Sequence, residues 1–281
     1  MKHGITGIDH PVIAVRDMEL ARAAYERLGF IVPPRGSHRE WGTGNWCIQF
    51  ANDYLELRGI LVPGKETHGL GRFLERREGL MGVAFGTVGA RTTHDALTSA
   101  GLHPRPVKPL TRDFELLEGT VPVSFELCFL DPAETPGLMS VVICQHLTPE
   151  RLRRPEWLEH PNGARRIRGL TGITRDIKDT LGAWNLLFER VTQLPGELRA
   201  DFENGGFLAL LDEQAFARRF PSLRPPPPVE WPCLVVVSLE TRDLAATEAC
   251  LAARGVRHEA DGRVLVPSGE ACGVALEFVG G

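Results

Sequence analysis

The 281-residue chain is 43% hydrophobic and 24% charged, and its 32 basic and 36 acidic side chains give a formal net charge of −4. At roughly 100–200 residues per domain, this length predicts about two domains that can each bury a core. The nearly balanced charge argues against a surface that neutralises many phosphates, so we expect no nucleic-acid partner. No segment reaches the roughly 18 uncharged apolar residues of a membrane span, and the N-terminus has no apolar signal segment. A cytoplasmic protein that does not bind membranes is therefore expected.

The six cysteines are widely spaced and include no Cys-x-x-Cys pair. In a chain of this length without a secretory signal, the pattern predicts reduced, buried thiols and not disulfides. A zinc–thiolate site is not expected either.

The first elements follow the order strand, helix and then about three strands. Residues 8–15 are rich in β-branched side chains and predict a buried strand. Asp17 is placed to cap a helix that ends at Gly29. The apolar residues at helical spacing, which we expect on its buried face, are Leu20, Ala24 and Leu28.

The same order recurs three more times, at residues 82–144, 172–211 and 233–279. Such self-similarity, with units of about seventy residues, predicts four βαβββ modules. Residues 1–150 then form a first domain and residues 170–281 a second, with a linker at 151–169. The proline run at 225–228 predicts a stiff spacer within the second domain.

Several segments of the first half carry a family resemblance. They are Asp-His-Pro-Val-Ile-Ala-Val-Arg-Asp at 9–17, His-Arg-Glu-Trp-Gly-Thr-Gly-Asn at 38–45, Tyr-Leu-Glu-Leu at 54–57, and the segments 144–150 and 160–164. They resemble the vicinal oxygen chelate superfamily, which includes glyoxalase I, the extradiol dioxygenases and the bleomycin resistance proteins. Within it, the chain is most similar to the glyoxalase-like domain branch. The resemblance implies an α+β fold whose modules pair into two open, U-shaped barrels of mixed sheet.

The resemblance also implies a divalent metal site in the cavity of modules one and two. It assigns the first-strand ligand to His10 and the last-strand ligand to Glu56. Module two has no His or Glu at residues 80–88, but its last strand ends at His146. With His146, the set is two imidazoles and one carboxylate, which suits Fe(II), Mn(II), Ni(II) or Zn(II). The second half has no histidine on its opening strands and is expected to be structural.

Each candidate ligand also has a structural interpretation. His10 lies on an apolar strand, where a lone histidine is more often a satisfied core group than a ligand. Glu56 alternates with two leucines and could face solvent, since burial without a partner would be costly. The orientation of His146 does not follow from the sequence, because strand parity is not fixed there.

The loop at 38–45 holds further candidates. The candidate substrate-binding residues are Trp41, by stacking, and Thr43 and Asn45, by hydrogen bonding. The alternative is a structural turn in which Gly42 and Gly44 supply backbone freedom. His38 is expected at the surface, and it is also, with Glu56, a candidate acid–base catalyst.

Two functions from different classes follow. The first is a metal-dependent lyase, isomerase or dioxygenase whose metal binds two adjacent oxygens of a small molecule. The second is a metal-free protein that sequesters a toxin or antibiotic, as bleomycin-binding relatives do. A homodimer is compatible with either function, although one chain already carries both halves of a cavity.

Overall fold

The computed structural model describes residues 2–117, 119–224 and 231–281. Its first half contains two βαβββ modules, as the repeats predict. Module one consists of β1 (Ile5–Ala14), α1 (Met18–Arg27), β2 (Gly36–His38), β3 (Thr43–Gln49) and β4 (Tyr54–Ile60). After the connecting helix α2 (Leu70–Arg76), module two consists of β5 (Gly79–Thr87), α3 (Ala90–Ser99), β6 (Lys108–Leu116), β7 (Gly119–Leu130) and β8 (Ser140–His146).

The second half repeats the same order. Module three consists of β9 (Ala164–Ile173), α4 (Lys178–Leu187), β10 (Arg190–Leu194), β11 (Glu197–Asp201) and β12 (Phe207–Leu211), followed by α5 (Glu213–Arg219). Module four consists of β13 (Cys233–Thr241), α6 (Leu244–Ala253), β14 (Glu259–Ala260), β15 (Val264–Val266) and β16 (Ala275–Gly280). The predicted spacer at 225–228 lies outside the described residues. Strand β9 begins inside the segment 151–169 that the sequence assigns to a linker.

The strands form two eight-stranded mixed sheets, which confirms the α+β architecture of paired modules. The first sheet closes into a barrel in the order β1-β4-β3-β2-β6-β7-β8-β5. The second is open, in the order β10-β11-β12-β9-β13-β16-β15-β14. The first sheet is thus closed where an open one is expected, because β2 pairs with β6 on the side opposite the β1–β5 contact. In the second half the corresponding strands, β10 and β14, lie at the two edges, and β14 has only 2 residues.

Helix α1 begins where the sequence predicts, and of its three predicted core residues Leu28 is buried, Ala24 is half-buried and Leu20 is exposed. The carboxylate of Asp17 accepts hydrogen bonds from the backbone N–H groups of Glu19 and Leu20. The side chains that face the core are Met18, Ala21 and Tyr25, followed by Leu28, whereas Leu20 is 70% exposed. The prediction for Leu20 is wrong because the inward stripe starts at the first helical residue and continues at a spacing of three and four.

The two halves pack against each other through aromatic side chains. The ring of Phe85 on β5 lies 5.4 Å from that of Phe188 and 5.8 Å from that of Phe202, both in module three. The indole Nε1 of Trp184 donates to the carbonyl of Pro136 at 3.1 Å. Buried apolar residues of both halves therefore belong to one continuous core.

The connecting segment is held to module one by buried hydrogen bonds. Nδ1 of His160 accepts from the N–H of Ile31 at 3.0 Å, and Nε2 donates to the carbonyl of Gln49 at 2.9 Å. Nδ2 of Asn162 donates to the carbonyl of Leu28 at 2.9 Å. His160 therefore needs its Nδ1 unprotonated in order to accept, and protonation would break that contact.

None of the described helices has the length and apolar character that crossing a membrane requires. The six cysteines form no disulfide with one another; four of them are buried, as predicted, and Cys250 and Cys272 are half-buried. The cytoplasmic location and the homodimer stay predictions.

We expect the His160→Gln variant to lose the acid sensitivity that His160 contributes. Burial lowers the pKa of His160 to about 4, below the ordinary value of about 6.5. The unfolded chain therefore binds a proton here between about pH 6.5 and pH 4 while the folded chain does not, so stability falls as the pH falls. Relative to the variant, the wild type should lose up to about 3 kcal/mol of unfolding free energy.

Urea denaturation of both proteins at pH 7 and pH 4 measures this difference. Burial raises the pKa of Asp53 to about 7, and that group titrates in the same interval with the opposite sign. Because Asp53 is present in both proteins, its contribution cancels in the comparison. An identical pH dependence of the two proteins would contradict the prediction.

Candidate functional site

The candidate site lies inside the closed barrel, in a cavity of about 40 Å³ between modules one and two. One wall is polar and comes from module one, with His10, His38, Asn45, Tyr54, Glu56 and Arg58. The facing wall comes from module two and is mainly apolar, with Val83, Leu110, Phe125, Leu127, Phe129 and Val142. The charged side chain on that second wall is Arg112. The cavity therefore has one polar and one apolar side, and at this volume a ligand of more than a few atoms requires the lining side chains to move apart.

Glu56 points into the barrel, because strand alternation directs Leu55 and Leu57 to the opposite side. Its side chain is 2% exposed and has one partner on the neighbouring strand β3 and one on its own strand β4. Nδ2 of Asn45 donates to Oε1 at 2.5 Å, and Nη2 of Arg58 donates to Oε2 at 2.7 Å. The solvent-facing alternative for Glu56 is thus replaced by a buried, partnered carboxylate.

The charge state of Glu56 follows from these contacts. Burial by itself would raise the pKa of the carboxyl, but Arg58, His10, His38 and the Asn45 hydrogen bond outweigh it and lower the pKa to about 2. Glu56 is therefore a carboxylate at neutral pH. In this state it can accept a proton or bind a cation, but it cannot donate a proton.

The structure brings the two predicted module-one ligands together. Nε2 of His10 lies 3.6 Å from Oε2 of Glu56. Nδ1 of His10 donates to Oδ2 of Asp9 at 2.6 Å, so Nε2 is the nitrogen that faces Glu56. The ring of Tyr54 stacks on that of His10, with centroids 4.3 Å apart and planes 20° apart. His10 is therefore fixed in position and orientation on both its ring face and its Nδ1 side.

Asp9 is a site residue that sequence reasoning missed, although it stands directly before His10. It is 5% exposed and also accepts from Nε2 of His146, at 2.9 Å. Burial would raise the pKa of Asp9, but His146 and His10 outweigh it and hold the pKa well below the usual range. One carboxylate therefore joins the two imidazoles.

His146 reaches the site through Asp9 and not through Glu56. Its Nε2 bonds to Asp9, and its buried Nδ1 has no partner among the described residues. In the described ranges, the three donor atoms of Asp9, Cys144 and His146 lie within 4.8 Å of one another. This group borders a larger cleft of about 670 Å³ between the two halves of the chain. The predicted role of His146 as a third ligand beside Glu56 stays a prediction.

His38 is buried, against the expectation of a surface position. It is 6% exposed, and its Nδ1 donates to Oγ1 of Thr43 at 2.8 Å. Burial, followed by the positive charge of Arg58, lowers its pKa to about 3. At neutral pH His38 is therefore an uncharged imidazole whose unprotonated Nε2 lies 3.4 Å from Nδ2 of Asn45.

Thr43 and Asn45 act on neighbouring side chains in this structure. Thr43 holds His38, and Asn45 links His38, Glu56 and Arg112. Residues 39–42 form a bend between β2 and β3, in agreement with the turn interpretation. The glycines have another reason than backbone freedom, because neither Gly42 nor Gly44 has a positive φ. A Cβ at Gly44 would lie 2.3 Å from Leu61 and 2.8 Å from the Gly36 carbonyl oxygen, so close packing requires this glycine.

Aromatic side chains cover the cavity near Arg58. The ring of Trp41 lies 4.2 Å from that of His68, and His68 stacks on Phe129 at 5.2 Å. The guanidinium of Arg58 lies 5.9 Å from the Trp41 ring. Trp41 is therefore in position to contact a bound molecule, as its predicted substrate-binding role requires.

Module two does not duplicate the two ligands. Val12 lies opposite Glu56 in the parallel pair of β1 and β4, and Ala84 lies opposite Val142 in the equivalent pair of β5 and β8. Val12 and Ala84 are 72 positions apart, and the first residues of helices α1 and α3 are separated by the same number of positions, so this offset aligns module two with module one. By this offset, the counterparts of His10 and Glu56 are Gly82 and Val142. Any metal in the barrel therefore depends on module one for these two ligands.

Comparison with protein families gives one match. The model described as a glyoxalase-like domain matches residues 8–188. No curated protein matches the chain.

Comparison with solved structures gives matches over almost the whole chain. A hypothetical protein from Staphylococcus aureus has a TM-score of 0.71 at 12% identity, covering 98% of this chain and 99% of that one. A mutant of 4-hydroxymandelate synthase from Streptomyces coelicolor has a TM-score of 0.63 at 10% identity, covering 99% and 93%. A xylose isomerase-like TIM barrel/4-hydroxyphenylpyruvate dioxygenase fusion protein has a TM-score of 0.57 at 14% identity, covering 98% and 48%. At these identities the similarity shows the fold alone.

We expect Arg58→Met to destabilise the protein by about 3 kcal/mol, because it removes the counter-charge of a buried carboxylate. The double variant Arg58→Met/Glu56→Gln should recover most of that loss, since the neutral amide needs no counter-charge. Urea denaturation at pH 7 measures both changes. A double variant as unstable as the single one would show that Arg58 stabilises the barrel by packing and not by pairing.

Proposed function

The chain belongs to the glyoxalase-like domain family of the vicinal oxygen chelate superfamily, and from this premise we propose a metal-dependent enzyme. Its reaction is of the lyase, isomerase or dioxygenase type, on a small oxygenated molecule bound inside the closed barrel. The observation that carries the proposal is the 3.6 Å approach of His10 Nε2 and Glu56 Oε2 in a buried cavity. The dioxygenase and synthase names among the structural neighbours support it only through the shared fold.

The donor atoms suit a divalent ion of the first transition series. Bonds of about 2.1 Å at a tetrahedral metal place two ligand atoms roughly 3.4 Å apart, and the two atoms here are 3.6 Å apart. Asp9 accepts a hydrogen bond from Nδ1 of His10, which is the support that metal-bound histidines usually have. An imidazole and a carboxylate are compatible with Fe(II), Mn(II), Ni(II) or Zn(II).

Two residues qualify as the third ligand. Nε2 of His38 is unprotonated, because Nδ1 donates to Thr43, and Asn45 lies between it and Glu56. His146 is the alternative, with Asp9 between it and His10. A bound divalent ion supplies Lewis-acid stabilisation of negative charge that develops on substrate oxygens.

The side chains around this position have separable tasks. Glu56 and His38 are unprotonated at neutral pH, so they accept protons and do not donate them. Burial raises the pKa of Tyr54 well above its usual value, so its hydroxyl keeps its proton and can donate a hydrogen bond. The apolar wall and the Trp41 cover limit water inside the barrel, which strengthens each electrostatic contact.

We expect His10→Ala and Glu56→Ala to lose bound metal. Protein purified without a histidine tag and loaded with Fe(II), Mn(II), Ni(II) or Zn(II) should retain about one ion per chain, because His10 and Glu56 are buried donors and a third candidate ligand lies beside them. Each variant should retain less than a tenth of that amount after dialysis, as measured by inductively coupled plasma mass spectrometry.

The matched control is His103→Ala, since the His103 side chain is 85% exposed and lies outside the barrel. Its metal content should equal that of the wild type. Unchanged metal content in both His10→Ala and Glu56→Ala would remove the proposal.

We expect Asp9→Asn to weaken metal binding by 10- to 100-fold without removing a ligand, because it alters the hydrogen bond that orients His10. A competition titration with a chelator measures the affinity. Asp113→Asn, on the barrel exterior beside Arg39, is the control. An affinity equal to that of the wild type would show that Asp9 serves His146 and not the metal ligand.

A second candidate function is supported by the contacts of Glu56. Its carboxylate is already neutralised by Arg58 at 2.7 Å and bonded by Asn45, so the barrel is electrostatically stable as a metal-free binding protein. The same metal analysis separates the two functions. A wild-type chain that retains no ion but binds a small molecule in the barrel supports sequestration and overturns the enzyme.

A further inference from the structure

Arg112 is a buried cation whose contacts leave part of its hydrogen-bonding capacity unused. It lies on β6, where it shares the inner face with Leu110 and Phe114, and it is 1% exposed. Nη1 donates to Oδ1 of Asn45 at 3.2 Å and also contacts Sγ of Cys47. Nε and Nη2 are buried and have no partner among the residues that the structure describes.

These two unpartnered atoms lie on one edge of the guanidinium, and that edge binds carboxylates elsewhere in this chain. Arg58 donates from Nε and Nη2 to Glu56, Arg35 does so to Glu115, and Arg39 to Asp113. Two parallel N–H groups match the two oxygens of a carboxylate, which makes the contact both strong and directional. The free edge of Arg112 is therefore a preformed carboxylate-binding edge.

The surroundings of Arg112 do not supply this partner. Its guanidinium carbon lies 4.9 Å from the Phe114 ring and 5.8 Å from the Phe125 ring, and neither ring offers Nε or Nη2 an acceptor atom. The acid that lines the same cavity, Glu56, is paired with Arg58. A buried charge with unsatisfied donors costs stability, and a bound carboxylate would offset that cost.

The carboxylates near the cavity already have partners. Glu56 is paired with Arg58, and Asp9 is engaged with His10 and His146 on the other side of the His10 ring. Arg112 therefore has no carboxylate partner among the residues that line the cavity. The carboxylate of a bound ligand would supply one.

The wall beside Arg112 is apolar. Leu110, Phe125 and Leu127 line the same cavity on the inner face of β6 and β7, and Val142 lines it on β8. A ligand bound by Arg112 therefore places any remaining atoms against hydrocarbon and aromatic surface.

We infer that the substrate of the barrel site is a small organic monocarboxylate with an apolar body. Its carboxylate binds Nε and Nη2 of Arg112, and its body packs against Leu110, Phe125, Leu127 and Val142. The inference names the substrate class of the site and rests on the proposed function for the location of the chemistry. Arg112 thus determines specificity and is not a metal ligand.

Isothermal titration calorimetry with benzoate tests the inference, with benzamide as the neutral probe of the same shape and inorganic phosphate as the anion without an apolar body. Wild-type protein should bind benzoate at least tenfold more tightly than either of the other two. Arg112→Met should lose at least tenfold in benzoate affinity and leave the weak benzamide affinity unchanged. Arg39→Met is the matched control, because Arg39 uses the same guanidinium edge on the barrel exterior, and it should bind benzoate as the wild type does.

Thermal denaturation checks that the variant folds. Without ligand, Arg112→Met should melt no lower than the wild type, because the substitution removes a charge whose donors are unsatisfied. Benzoate should raise the melting temperature of the wild type and not that of the variant. If Arg112→Met does not fold, Arg112→Lys serves instead. It keeps the charge but lacks the two-donor edge, and it should also lose at least tenfold in benzoate affinity.

Metal content measured on the same preparations separates the two proposals. Equal affinity for benzoate and benzamide, benzoate binding that does not depend on Arg112, or phosphate binding as tight as that of benzoate would each overturn this inference. Any of these results with a metal-loaded protein leaves the proposed function in place. Arg112-dependent benzoate binding by a chain that retains no metal would overturn the metal-dependent enzyme and support the monocarboxylate site.

Discussion

The pairing of β2 with β6 is the contact on which the interior of the first half depends. It places Ser37 opposite Asp113 and His38 opposite Arg112, and it converts a curved sheet into a closed barrel. Closure removes Glu56, His38 and Arg112 from water, and this removal gives each of them its unusual charge state or unsatisfied contact. In an open sheet the same side chains would be solvated, and their mutual interactions would be weak.

Asymmetry between the two modules gives the barrel its chemistry. Module one retains the imidazole and the carboxylate, whereas module two has Gly82 and Val142 at the equivalent positions. Of these two positions, Val142 forms part of the apolar wall. Two similar modules thus form one polar face and one apolar face of the same cavity.

Much of the fold could be predicted from the sequence, because strand alternation, the Asp17 cap and glycine stops are local signals. The meeting of His10 with Glu56 was also predictable, but only from the family resemblance. Closure by β2 and β6 was not, since those strands are about seventy residues apart and β2 has only 3 residues. Strand alternation does predict that Glu56 and Arg58 share one face of β4 and that Leu110, Arg112 and Phe114 share one face of β6. Without the barrel, however, nothing in that alternation distinguishes a lining arginine from an exposed one.

The ring of Phe85 packs against those of Phe188 and Phe202, and these contacts join the two halves of the chain. Separating the halves would expose these rings and would break the His160 and Asn162 contacts with module one. The family match at residues 8–188 runs past the barrel and ends at one of these aromatic residues. Because the two halves share one buried core, we expect the second sheet to contribute to the stability of the barrel and to unfold with it.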